Sequence, residues 1–377
     1  MPYKIAVIAY VLGDKQSHRG AGKYFYQFFT NMIKAGCLVD VYSSIVKASD
    51  EDLEKFNLNK LVILTDEEEK SLDKKFFESK GYDFVISCGI EDYVDIVLLH
   101  PHSIIYRQEV VRTPFEKFIK RIFNAHRMVT PEKAEAFKKN LDKPDNLLAN
   151  SKVAAYDYTE FCGISPDKIH ILNPCVEIEK DFEYNPQDIF TFGLCGVTFS
   201  LKGGYTFLKA LTVLKKAKYD FKAKIVYPNH DKNMILKFFM WFYGLNDKVT
   251  FLGYQSDMTN FYSSIDCLVV PSREETFGLV VLEAMANSKI TLVSSRCGAT
   301  DIIKNDENGF IFDFEKKPEK NLFDKMKFIL ENQKNLYSVY QNSYNTATEN
   351  SLEKHGQKMV QILDKISKKK NEDFAEK

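Results

Sequence analysis

Cys267-Leu268-Val269-Val270-Pro271-Ser272-Arg273-Glu274-Glu275-Thr276-Phe277-Gly278-Leu279-Val280-Val281-Leu282-Glu283-Ala284-Met285-Ala286 is the stretch that decides the fold. Its first four residues are wholly apolar and stop at a proline, as a strand buried on both faces does. A polar turn ending in a glycine follows, and then a helix predicted over 278–287. The first N–H groups of that helix have no partner within it and point back toward the strand end. The same strand, turn and helix succession recurs on either side. Strands are predicted at 189–194, 224–227, 249–252, 290–294 and 310–312, and helices at 205–216, 232–243 and 258–264. Such alternation marks a parallel sheet with helices on both faces.

The first half of the chain repeats the pattern. Strands are expected at 4–11, 38–42, 61–64, 83–87, 95–99, 146–149 and 168–172, with amphipathic helices at 22–34, 131–140 and 152–161. The first of these helices places Tyr24, Phe25, Phe28, Phe29, Met32 and Ile33 at helical spacing. The alternation stops near Asn173-Pro174 and Asn185-Pro186 and then restarts, so the chain reads as two consecutive α/β domains. The boundaries are 1–175, joined by the C-terminal helix within 350–377, and 176–349. Ligands of such sheets bind at the carboxyl ends of the strands, here in a cleft between the domains. After 315 the sequence turns helical, at 320–332, 335–347 and 351–367, and ends in a polar tail, 368–377.

Composition limits the function classes. A chain of 377 residues with 45% hydrophobic and 28% charged residues supports two sizeable cores and is not a disordered solvating chain. Lys+Arg and Asp+Glu are equal at 52 each, so no global charge draws the protein to nucleic acid. The apolar run Ile5 to Leu12 is far shorter than the ~18–20 residues of a membrane span and reads as a buried strand. Seven cysteines without a C-x-x-C pair fit free thiols in a reducing cytoplasm. The carboxylates form no Asp-x-Asp pattern, and the seven histidines form no H-x-x-x-H or H-E-x-x-H pattern, so no metal site is expected.

Four elements could carry chemistry. In the opening stretch a helix start offers an anion site, with Glu275 before the helix and Glu283 eight positions later on it. Two acceptor-only carboxylates suit the hydroxyls of a polyol ligand, although a capping carboxylate and an exposed helical glutamate would have the same spacing. Gly193-Leu194-Cys195-Gly196-Val197-Thr198-Phe199-Ser200-Leu201-Lys202-Gly203-Gly204 is glycine-rich and carries one lysine, as a phosphate-binding loop or a plain tight turn would. Ser17-His18-Arg19-Gly20-Ala21-Gly22-Lys23-Tyr24 follows the first strand but lacks the third glycine of a dinucleotide fingerprint. Leu98-Leu99-His100-Pro101-His102-Ser103 lies at a strand end, where His100 and, second, His102 could face a ligand.

These elements, in this order, resemble the retaining family 4 (group 1) glycosyltransferases of the GT-B fold, of the bacterial surface-glycan type. Glu275 and Glu283 resemble the family's Glu-x7-Glu motif. Residues 247–253 and Phe261-Tyr262-Ser263-Ser264-Ile265-Asp266 resemble its approach. Cys297-Gly298-Ala299-Thr300-Asp301-Ile302-Ile303 and Asn308-Gly309-Phe310 resemble the turns after it. Ala149-Asn150-Ser151 and Asn173-Pro174-Cys175-Val176-Glu177 resemble its interdomain linker, and the match extends over nearly the whole chain. The resemblance implies an α/β protein of two Rossmann-like domains facing across a cleft, with the C-terminal helix crossing back to the N-terminal domain. It implies transfer of a sugar from a nucleoside diphosphate sugar to an acceptor hydroxyl, with retention of configuration and without a metal or other cofactor. The setting would be assembly of lipopolysaccharide, capsule or a lipid-linked oligosaccharide, in the cytoplasm or peripherally on the inner face of the membrane.

By the same resemblance Glu283 would hold the ribose hydroxyls and Glu275 those of the donor sugar. The backbone of Phe277, Gly278, Leu279 and Val280 would meet the sugar and diphosphate. Lys202 would neutralise the leaving diphosphate, and His100 would lie near the donor sugar. Arg19 and Gly20 occupy the family's Gly-Gly loop, Arg19 standing at the first glycine. Gly196 stands where the family carries a second phosphate-binding charge, an arginine; Arg273 or Arg19 could replace it. Ser288 and Ile290 stand where the family usually has Gly and Pro. These departures leave room for a non-catalytic nucleotide-sugar-binding protein, and the fold also admits a nucleotide-sugar epimerase.

Two further segments stand apart. In 111–127 the residues Val111, Phe115, Phe118, Ile119, Ile122 and Phe123 recur at helical spacing, with Arg112, Lys117, Lys120, Arg121 and Arg127 on the other face. A basic amphipathic helix of this kind suits an anionic membrane surface, or packs as a solvated helix. The aromatic run 238–243, with the single tryptophan Trp241, is expected in the core or at a domain interface.

Overall fold

The computed structural model describes residues 3–9, 11–12, 21–47, 54, 57–99, 103, 131–228 and 230–375. Two compact units emerge, Met1–Cys175 with Leu352–Lys377, and Val176–Ser351.

In the first unit the elements run β1 (Lys4–Ile8), β2 (Val11–Leu12), α1 (Ala21–Lys34), β3 (Leu38–Ser43), β4 (Ile45–Val46), β5 (Lys60–Ile63), α2 (Asp66–Ser71), α3 (Lys74–Ser79), β6 (Phe84–Ser87), β7 (Ile96–Leu99), α4 (Pro131–Leu141), β8 (Asn146–Ala149), α5 (Lys152–Cys162) and β9 (Ile169–Ile171). Seven strands form a parallel sheet in the order β5-β3-β1-β6-β7-β8-β9, while β2 and β4 make a separate two-stranded pair. Along β1, Ile5 and Val7 enter one core and Ala6 and Ile8 the other, because successive side chains point to opposite faces. The short helices α2 and α3 have no apolar periodicity that would have announced them. Their caps hold them: Thr65 and Glu68 form a reciprocal capping box, and Asp73 accepts the N–H of Phe76 at 2.7 Å.

The second unit contains β10 (Thr191–Cys195), α6 (Gly204–Lys216), β11 (Lys222–Val226), α7 (Met234–Phe242), β12 (Val249–Leu252), α8 (Thr259–Ser263), β13 (Cys267–Val270), α9 (Leu279–Ala286), β14 (Ile290–Ser294), β15 (Phe310–Phe312), α10 (Pro318–Asn332) and α11 (Tyr337–Glu349). Its parallel sheet has the order β12-β11-β10-β13-β14-β15. This is the doubly wound arrangement, and its order reverses between β10 and β13, the point at which such sheets bind ligands. Phe192, Leu194, Cys267 and Val269 pack on one face; Leu268, Val270 and Val293 pack on the other. Gly193 lets α8 and the turn after it approach, since a Cβ there would sit 2.9 Å from Phe261 Cζ and 2.5 Å from Ile265 Cδ1.

The chain then returns to the first unit through α12 (Leu352–Ala375). Met359, Leu363 and Ile366 join Phe28, Phe29 and Met32 of α1 in one core, and Gly356 allows the close approach because a Cβ there would lie 2.5 Å from Asn31 O. The polar tail expected beyond 367 is instead helical to Ala375, held where Lys370 Nζ donates to Asp95 Oδ1 at 2.6 Å and sits over the Phe84 ring. A second correction concerns the aromatic run 238–243. Phe238, Trp241 and Phe242 of α7 are exposed, and only the opposite side, with Leu236 and Met240, is buried. A helix apolar all round gives no sequence cue to which face is inward.

Ser288, at the end of α9, has φ +57. That left-handed conformation suits glycine, the residue usual at this position in the family the sequence resembles. The serine is buried, and its Oγ accepts the N–H of Glu183 at 3.1 Å, a bond glycine could not make. The departure therefore has a structural use.

Between α1 and α12 lies a buried histidine. His355 is 2% exposed, its Nδ1 lies 3.2 Å from Asn31 Nδ2, and Asn31 also donates to Cys175 Sγ at 3.1 Å. Burial, reinforced by Lys358, pushes its pKa down to about 4. The unfolded chain, titrating near 6.5, binds more protons across that window. The stability associated with the neutral ring is complete above pH about 6.5 and is lost as pH falls toward 4, by up to about 3 kcal/mol. Urea titrations should show unfolding free energy declining over this range in the wild type and a shallower decline in His355→Gln. Identical pH slopes would contradict the assignment.

Candidate functional site

The site is built from the two loops that leave β10 and β13, the strands flanking the sheet's reversal. After β10 the chain makes a tight excursion, with Lys202 N donating to Thr198 O and Gly204 N to Phe199 O, before α6 begins. Gly203, at φ +72, has its α-carbon pressed against the other loop: a Cβ would lie 1.8 Å from Pro271 O. Arg273 N donates to Leu201 O at 2.9 Å, so the two loops are joined by backbone. Gly196 lies beneath the Lys202 side chain, where a Cβ would come within 2.7 Å of Lys202 Cγ. The glycine at the position where the resembled family carries an arginine thus gives room to the lysine's stem.

These constraints deliver Lys202 Nζ onto Glu275 Oε2, forming a largely shielded ion pair. Burial alone would lower the Lys202 pKa, but the Glu275 charge and its hydrogen bond raise it, so the ammonium is retained. Glu275 is itself held by backbone. Its carbonyl accepts the N–H of Gly298 at 2.9 Å, Phe277 O accepts from Ala299 N at 2.9 Å and from Cys297 Sγ at 3.0 Å, and Ser294 Oγ donates to Ser272 O at 2.7 Å.

Helix α9 starts at Gly278, whose φ of +92 reverses the chain without a Cβ penalty. Val281, Leu282, Ala284, Met285 and Ala286 are buried in the core, and Glu283 is the single polar side chain of this helix. It accepts the hydroxyl of buried Tyr262 at 2.7 Å. Burial and the neighbouring carboxylate keep the tyrosine pKa far above its usual value, so Tyr262 remains the donor. Cys195, at the end of β10, senses all three charged groups. Its thiol is pushed up to about 12 chiefly by burial, with Glu283 and Glu275 raising it and Lys202 lowering it.

Lys202, Gly196, Arg273, Glu275, Phe277, Gly278, Leu279, Val280 and Glu283 are therefore brought to one end of one sheet. Arg19, Gly20, His100, His102 and the segment 111–127 lie outside the described residues. Tyr262, Cys195 and Cys297 were not singled out as site residues. The Phe261-Tyr262 pair was visible in the sequence, but only its distance from Glu283 in space gives the tyrosine a role. Among the described residues no three His, Cys, Asp or Glu side chains gather as a metal-binding group, and no helix is long and apolar enough to cross a membrane. An ammonium, helix-start N–H groups and two carboxylates together complement a ligand bearing both phosphate and hydroxyls.

The Gly203 contact gives a direct test. Gly203→Ala should cost about 3 kcal/mol or more, because both the backbone conformation and the Pro271 carbonyl oppose it. Gly244→Ala, at φ +60 with nothing within 4 Å of the added atom, should cost only about 1 kcal/mol. Equal losses in urea denaturation would show that the loops are not locked together at Gly203.

Comparison with known proteins bears on the fold. Residues 178–346 match the family model described as Glycosyl transferases group 1. The capsular polysaccharide biosynthesis glycosyltransferase CapM of Staphylococcus aureus is 26% identical over 178 residues, which cover 46% of each chain. The chain thus spans about half the length of this curated relative. Among solved structures, a glycosyltransferase from Rickettsia africae superposes with a TM-score of 0.71 at 16% identity, over 97% of this chain and 99% of that one. Anabaena Alr3699/HepE, solved in complex with UDP and glucose, gives 0.67 at 15% identity, over 96% and 99%. Residues 178–346 thus match the Glycosyl transferases group 1 domain, and the fold is that of the GT-B glycosyltransferases.

Proposed function

We propose that the protein transfers a sugar from a nucleoside diphosphate sugar to an acceptor hydroxyl, with retention, in the assembly of a surface polysaccharide. The observation that carries this is the Lys202–Glu275 pair at the sheet's reversal, beside the α9 start and Glu283. Support for the donor class comes from the UDP and glucose bound by the Anabaena protein, and for the setting from the capsular role in the Staphylococcus protein's name.

Glu283, steadied by Tyr262, accepts hydrogen bonds from the ribose hydroxyls. The donor diphosphate draws the Lys202 ammonium away from Glu275, and the released carboxylate accepts from hydroxyls of the donor sugar. The bond between the anomeric carbon and the phosphate oxygen breaks with its electron pair going to the phosphate. There Lys202 and the N–H groups opening α9 stabilise the growing charge. The acceptor oxygen bonds to the anomeric carbon on the same face, and its proton passes to the departing phosphate. A fixed ammonium and helix start supply the charge that a divalent cation would otherwise bring, so the reaction is proposed to need no metal. His100, Arg19 and Gly20 keep the donor-side roles the family resemblance implies. Residues 111–127 remain the sequence-based candidate for contact with a lipid-linked acceptor's membrane.

Lys202→Ala should lower turnover by ~10² or more with little effect on the acceptor KM, because the charge it meets is greatest as diphosphate leaves. With donor and acceptor supplied, the product should keep the donor's anomeric configuration by NMR coupling constants, and EDTA should leave the rate unchanged. Near-normal turnover in the variant, an inverted product, or loss with chelator restored by Mn²⁺ would each overturn part of the proposal.

A further inference from the structure

We propose that α7, Met234–Phe242, is a lipid-contact helix that lies in the surface of an anionic membrane. The proposal concerns a surface outside the sugar-transfer site and does not depend on that chemistry.

Of the nine residues of α7 only Lys237 is polar. One side anchors the helix: Leu236 and Met240 are buried, and Phe239 and Tyr243 pack against the same core, with Tyr205 5.1 Å from Phe239. The other side is a second apolar face with nothing packed over it in the described structure. Met234 is 72% exposed, Ile235 63%, Phe238 56%, Trp241 71% and Phe242 63%, at the i, i+1, i+4, i+7, i+8 spacing of one helical face. Phe238 stacks on Phe242 at 5.8 Å and lies 6.1 Å from Trp241, so the aromatic rings form a continuous exposed cluster. Contiguous exposed patches of this kind mark interaction surfaces.

Charge decides the occupant. The whole chain is electrically balanced, yet residues 215–248 carry eight lysines against three aspartates and no other formal charge. Two of those aspartates, Asp247 and Asp220, are already paired with Lys215 and Lys248. Lys215 also donates to Gly244 O at 2.5 Å, which ties the lysine-rich end of α6 to the end of α7. Lys237 on α7, Lys232 just before it, and Lys216 and Lys218 at the end of α6 are all exposed, as is the third aspartate, Asp231. A tryptophan and phenylalanine face on a helix whose own and neighbouring segments carry a lysine excess fits the boundary between acyl chains and anionic headgroups. A second copy of the chain fits worse, because a symmetric contact through α7 would bring two lysine-rich segments together. At about 1.5 Å per residue, nine residues cannot span a bilayer, so the helix lies in the interface plane.

Trp241 is the only tryptophan in the chain, so its fluorescence reports on this helix alone. The full chain would be titrated at low salt with phosphatidylcholine vesicles, with and without phosphatidylglycerol, and with acyl-brominated versions of each. Phosphatidylglycerol vesicles should shift Trp241 emission to the blue, and brominated chains should quench it. Phosphatidylcholine alone should do neither. Phe238→Ser with Phe242→Ser should weaken partitioning about tenfold, and Lys216→Glu with Lys218→Glu and Lys232→Glu by about tenfold or more. Both variants should keep the wild-type thermal midpoint and nucleotide binding. Co-sedimentation with unchanged Trp241 emission would assign membrane contact to another surface and overturn the proposal. So would no response to any vesicle, or a blue shift that follows protein concentration without lipid, which would indicate self-association. Loss of transferase activity with the lipid response intact would bear on the proposed reaction alone.

Discussion

Lys202 and Glu275 belong to loops separated by three intervening strands in sequence, and backbone contacts between those loops bring the two side chains together. Gly203 is pressed onto the Pro271 carbonyl, Leu201 accepts the Arg273 N–H, and Gly196 leaves the lysine stem room to lie flat. Each of these contacts depends on β10 and β13 being neighbours across the sheet's reversal. The remainder of the second unit serves that adjacency. Apolar side chains on both faces of the sheet fix the strands, and the turn 297–299 fixes the segment that carries Glu275.

An ion pair shielded from water is costly to form and easily exchanged for a better partner. Here burial disfavours the lysine's charge, and the carboxylate beside it more than offsets that effect. In the proposed reaction a bound diphosphate brings more negative charge to the same place, and the pair stands in for that ligand until then. Glu283 is held differently, accepting a hydrogen bond from the neutral hydroxyl of Tyr262.

Much of this was legible in the sequence because the buried parallel strands are short apolar runs with sharp ends. β8, β12, β13, β14 and β15 have the bounds expected from pattern alone. The short helices α2 and α3 escaped, since capping and not periodicity makes them. The sequence points 238–243 to the core or a domain interface because the two faces of α7 are chemically alike, and only exposure separates them. Gly196 and Ser288 read as departures that could signal decay; in space, one accommodates the lysine and the other bonds Glu183. Tyr262 could not be connected to Glu283 across 21 residues without the α8 to α9 packing.

The central claim is that Glu275 competes with phosphate for Lys202 and binds sugar only once displaced. Calorimetric titration of Glu275→Gln with a free nucleoside diphosphate and with the corresponding nucleotide sugar tests it most directly. The account expects the diphosphate to bind the variant at least as tightly as wild type, since its competitor is gone, while the nucleotide sugar loses its added affinity. Equal weakening of both ligands would contradict it, making Glu275 a support for the phosphate site and not a partner that exchanges with it.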